Sequence, residues 1–109
     1  MSINFDGILK TLQLIQASPK FFINEGDVED VEHFVYGFLT GCYICNPDID
    51  LRTHYFDLRK KVSVKMKLRL GTRSSVDVLR ESGLTDEQVH KAFLEMEIEI
   101  WRRLAKHFE

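Results

Sequence analysis

The stretch that most constrains this chain runs from Asp27 to Cys45. Val28, Val31, Val35, Phe38, Cys42 and Cys45 recur in steps of three and four, which places them on one side of a helix. Phe34, Leu39, Tyr43 and Ile44 widen that stripe until the C-terminal half is apolar nearly all round, as in a helix with neighbours on several sides. Asp27 is placed to cap the first turn, and Glu29 and Asp30 stand where the helix dipole favours negative charge. Asn46-Pro47 ends the element, because proline biases the residue before it away from helical dihedrals. A central core helix is expected here.

With 109 residues, the chain is sized for one domain, taken as 1–109. Its hydrophobic fraction of 44% and charged fraction of 29% are those of an ordinary globular protein. No apolar run approaches the ~20 residues of a membrane span. The opening MSINFDGILK lacks the basic start, apolar run and small-residue cleavage site of a secretory signal. Together with only two cysteines, this leads to an expected cytoplasmic location.

The other elements follow from periodicity and caps. Phe5, Ile8, Leu12 and Ile15 mark a helix over 2–17, with Ser2 or Asn4 as its cap and Pro19 as its end. Gly7 weakens its first turn by roughly 1 kcal/mol relative to Ala. Phe21, Phe22 and Ile23 make the next connection too apolar for a free linker, so it is expected to be pinned onto the core. Residues 51–70 read two ways. Leu51, Tyr55, Leu58, Val62 and Met66 step as a helix, whereas Val62, Val64, Met66, Leu68 and Leu70 alternate as a strand does. A sheet generally needs about three strands, and few partners exist, so a helix is favoured. The alternative is an α+β fold with a short hairpin or edge strand at 61–70. Ser74 or Ser75 opens a short helix closed by Gly83. Thr85 and Gln88 form a capping box for a last helix with stripe Val89, Phe93, Met96, Ile100, Leu104 and Phe108, broadened by Leu94, Ile98, Trp101 and Ala105. The expected fold is an all-α domain of about five helices, with the Val28 and Val89 helices at its centre.

Catalytic and metal chemistry find little support. Cys42-Tyr-Ile-Cys45 is formally a C-x-x-C, but it closes a helix, where the dipole opposes a low-pKa thiol. No second pair of zinc ligands stands at suitable spacing, and both cysteines fit the apolar stripe as small hydrophobes. No phosphate loop, nucleophile elbow or H-E-x-x-H occurs. Asp27, Asp30 and His33 share a face, which a capped and dipole-compensated first turn explains more simply. No enzyme activity, cofactor or metal is expected.

Charge is distributed unevenly behind a net −2. Between Phe21 and Leu51 there is no Lys or Arg, while Glu25, Asp27, Glu29, Asp30, Glu32, Asp48 and Asp50 lie there. Dipole compensation accounts for two of these acids. The whole set suits either plain solvation or a basic protein partner, which it would attract and orient. From Arg52 to Arg73 the sign reverses: Arg59, Lys60, Lys61, Lys65, Lys67, Arg69 and Arg73 face the lone acid Asp57. This segment is a possible nucleic-acid stripe, although a solvated face is the simpler reading for a chain of negative total charge.

Ile15-x-x-Ser18-Pro19-x-Phe21-Phe22-Ile23, followed by a capped helix with Phe34-Val35-Tyr36-Gly37-Phe38, resembles the "I-x-x-R-P-x-M-Y-I … L-x-x-F-I-x-G-Y" pattern of small bacterial immunity proteins. Many of these belong to contact-dependent growth inhibition and polymorphic toxin systems. Ser18 stands where that pattern has Arg, and Phe21 where it has Met. The resemblance implies a cytoplasmic protein that neutralises a cognate toxin domain, often a basic nuclease, by occluding its active site. Under that reading the acidic set Glu25, Asp27, Glu29, Asp30, Glu32, Asp48 and Asp50 is the binding surface. The partner is the toxin's C-terminal domain, with no membrane and no direct nucleic acid, and the protein is a monomer or weak homodimer. The alternative is a nucleic-acid-associated regulator using residues 59–73.

Overall fold

A computed structural model of the chain describes residues 3–17 and 28–108. They form five helices: α1 (Phe5–Ala17), α2 (Val28–Cys45), α3 (Leu51–Lys65), α4 (Ser75–Glu81) and α5 (Asp86–Phe108). No strand occurs among the described residues, so the all-α expectation holds. The expected cap at Asp27 and the pinned Phe21–Ile23 connection lie outside the described residues.

Local signals set most boundaries. Asn4 Oδ1 accepts from the Gly7 N–H at 2.9 Å and caps α1. A Cβ on Gly7 would lie 2.7 Å from the Asn4 side chain, so the glycine leaves room for its own cap. Ser74 Oγ accepts from the Asp77 N–H at 3.3 Å, and Gly83 follows α4 with φ +85°. Thr85 and Gln88 exchange hydrogen bonds of 2.9 and 3.3 Å, completing the capping box of α5.

Helix α3 stops at Lys65 rather than running to 70. Lys67 takes φ +62°, its N–H donates to Val64 O, and the Leu68 N–H reaches Ser63 O, both at 2.9 Å. These are the two bonds of a Schellman termination, with a lysine in the position usually given to glycine. Beyond it the chain is irregular; Leu70 is buried but Val64, of the same alternation, is 66% exposed, so the strand alternative at 61–70 is not realised.

The centre of the domain is α5, which packs against every other helix. Its whole expected stripe is buried except Phe108, which is half-buried, and Trp101 and Phe93 are among the largest fully enclosed side chains. Phe5 packs against Trp101 and Phe108 with ring centroids 6.3 Å away in each case, fixing α1 along α5. His90 Nε2 lies 3.0 Å from Ile15 O, a carbonyl that the end of α1 leaves without a helical partner.

The Val28 helix is less central than its composition implied. Val28, Val31, Val35 and Leu39 are buried, but past Cys42, which is half-buried, Tyr43, Ile44 and Cys45 are exposed. An all-round apolar pattern therefore reports an outward-facing surface in this half of α2. No helix among the described residues is long and apolar enough to cross a membrane.

A basic groove above a buried polar network

Three segments enclose an open groove of about 880 Å³. Helix α2 supplies Tyr36, Leu39 and Thr40, and α3 supplies Arg52, Phe56, Arg59, Lys60, Ser63 and Val64. The connection from Leu68 to Ser74 forms the far wall. Among the described residues five cations line the groove, Arg52, Arg59, Lys60, Arg69 and Arg73, and no carboxylate does. Two apolar groups stand open to solvent in it, Phe56 at 48% and Val64 at 66% exposure.

The cations differ in availability. Arg59 is buried, with its guanidinium Nη2 2.7 Å from Arg73 O and 3.0 Å from Ser75 Oγ, and its Nη1 3.4 Å from Gly71 O. It clamps the far wall to α3, while its Nε–H is buried without a partner. Arg73 pairs with Glu81. Arg52 lies over the Tyr43 ring at 5.3 Å. Lys60 and Arg69 are exposed and make no ion pair among the described residues. Outside the groove, Lys61 pairs with Asp57 one turn back on α3 at 3.1 Å.

Beneath Arg59 the polar groups continue into the core. Glu97 of α5 is completely buried, with both carboxylate oxygens 2.8 Å from the Tyr55 hydroxyl. Burial raises its pKa to about 7, against the opposing effects of the Tyr55 hydrogen bond and the Arg59 charge. Burial and then the Glu97 charge push Tyr36 up and Tyr55 well up, so both phenols stay protonated at neutral pH.

The acidic residues expected to form one surface are dispersed. Glu29 pairs with Arg80 of α4. Asp30 is exposed. Glu32 is buried at 4% exposure, accepting from Ser74 Oγ at 2.6 Å and from the Val76 N–H at 3.2 Å. This overturns its place in a surface patch: it serves as an internal cap on the first turn of α4. Asp48 and Asp50 are exposed beyond the other end of α2, an eighteen-residue helix about 27 Å long. Glu25 and Asp27 lie outside the described residues.

The basic segment 59–73 is likewise divided, since Arg59 turns inward and Lys61 outward, while Lys60 and Arg69 border the groove. Among the described residues no group of three or more His, Cys, Asp or Glu side chains is placed to hold a metal ion. No family model matches the chain, and neither does any curated protein or solved structure.

Proposed function

We propose that this protein is an immunity-type inhibitor that acts by binding and occluding a cognate toxin domain. The sequence support is the Ile15–Ile23 and Phe34–Phe38 pattern. The observation that carries the binding role is the groove between α2, α3 and the 68–74 connection. Its exposed groups are cations beside apolar side chains, a combination suited to holding a partner surface. With Glu29 paired and Glu32 internal, the groove replaces the acidic stretch as the principal contact. Asp48 and Asp50, exposed and just before Arg52 in the chain, suit a basic surface on the toxin.

The test is co-expression with the C-terminal toxin domain encoded by the adjacent upstream reading frame. A stable one-to-one complex together with rescue of growth is the expected result. Absence of both overturns the immunity role.

The runner-up is a nucleic-acid-associated protein, favoured by the absence of a carboxylate among the described residues that line the groove. Phosphate contact would give duplex affinity that falls steeply with salt. The exposed Phe56 and Val64, and the pairing of Arg73 with Glu81, count toward a protein partner instead.

A further inference from the structure

The α3 side of the groove has a spacing that specifies its occupant. Arg52, Phe56, Lys60 and Val64 follow one another in steps of four, so they form one oblique ridge of the helix. The row alternates cation, apolar, cation, apolar, and all four side chains are exposed. Its length is about 18 Å, at 1.5 Å rise per residue. Arg69 adds a cation on the opposite wall, and no lining residue among the described ones carries negative charge.

We propose that this row receives an acidic amphipathic helix of a protein partner, seated obliquely across α3. A helix presenting carboxylate, apolar, carboxylate, apolar groups in matching steps of four would set its acids against Arg52 and Lys60. Its apolar groups would cover Phe56 and Val64. Such helix-in-groove docking takes its affinity from apolar anchors and its register from charge. The groove is long enough for about three turns of helix. A phosphate backbone would match the cations of the row but leave its two apolar members against water. The inference rests on the reading that this protein works by binding another protein, and it identifies the chemistry of the segment bound.

Two probes test it on the full chain. The first is a labelled Ala-based peptide of about twenty residues, long enough to be helical in water, with Glu and Leu alternating every fourth position. Its counterpart carries Lys for Glu, and a DNA duplex of similar length is the third ligand. The acidic peptide should bind, the basic one should not, and K60E/R69E should weaken the acidic peptide by about tenfold. F56S should weaken it without changing its salt dependence. Both variants alter exposed positions, and circular dichroism with thermal melting confirms that they fold. Failure of the acidic peptide to bind, equal binding of the basic peptide, or capture of the duplex alone overturns the inference.

The second probe is the toxin domain itself. A toxin that binds with affinity unchanged in K60E/R69E removes the groove assignment while leaving immunity in place. Peptide capture without toxin binding supports the groove and removes the immunity role.

Discussion

The Tyr55 hydroxyl lies 2.8 Å from each carboxylate oxygen of Glu97, in a core where neither side chain has any exposed surface. This contact joins α3 to α5 and makes stability depend on pH. The pKa of Glu97 is about 7 in the folded chain, against 4.5 for an unperturbed glutamate. Between those values the folded state holds a proton that the unfolded state has released. Stability from this group is therefore fully present below about pH 4.5 and falls as pH rises to about 7, by about 3 kcal/mol. Glu97→Gln keeps an acceptor for Tyr55 and cannot ionise. The difference between the two unfolding curves should open across this window, with the variant the more stable at about pH 8. Parallel curves from urea titration at each pH would show that the carboxylate is ionised in the fold throughout.

Glu32 makes a separate prediction. Its carboxylate holds Ser74 Oγ and the Val76 N–H, and Ser74 in turn accepts from Asp77. Glu32→Ala leaves the buried Val76 N–H unpaired at a cost of about 1–3 kcal/mol. A surface acid would cost no more than about 0.5 kcal/mol. Hydrogen exchange at Val76 and Asp77 should accelerate in the variant before global unfolding does, because α4 loses its cap. Unchanged protection there would show that Ser74 alone holds the helix start.

Why the sequence revealed some of this and not the rest follows from the kind of signal involved. The stripe of α5 and the caps at Asn4, Ser74 and Thr85 are local patterns, and local geometry realises them. Glu97 had a readable signal, since it stands four residues after Phe93 and four before Trp101, inside the stripe. A glutamate at such a place is ordinarily solvent-facing. Glu32 stands likewise between Val28 and Tyr36 in steps of four. The groove left no such mark. Lys60 and Arg69 border it together only because the Schellman turn at Lys67 folds the chain back, and a lysine gives no sequence sign of that turn. The exposed end of α2 was hidden for the opposite reason, because apolar composition does not say whether a face is covered.

Lys67 itself can be tested. A non-glycine residue in the left-handed region costs roughly 1–2 kcal/mol. Lys67→Gly should remove that strain, at some loss of chain entropy in the folded state, for a net gain of about 0.5–1 kcal/mol. Lys67→Val should destabilise, since a branched Cβ fits this conformation worst. Denaturant midpoints with unchanged slopes are the measurement. Equal stability of the Gly and Val variants would contradict the Schellman termination of α3.

The last prediction couples the groove wall to the buried carboxylate through Arg59. Its guanidinium holds the 71–75 segment through Gly71 O, Arg73 O and Ser75 Oγ, and its charge lowers the pKa of Glu97. Arg59→Met removes both effects. Stability should fall by about 2–3 kcal/mol, the scale of hydrogen bonds from a charged donor. The upper end of the Glu97 transition should also move above its present value of about 7, because the carboxylate loses the nearby positive charge. Arg59→Lys retains charge but not the planar fork, so it should lose stability while leaving the transition nearer its original position. Combining Arg59→Met with Glu97→Gln closes the cycle: the pH-dependent part of the Arg59 effect should vanish in the double variant, and the pH-independent part should remain. If the pH-dependent part persists without Glu97, another group is responsible, and the path from groove to core does not run through this pair.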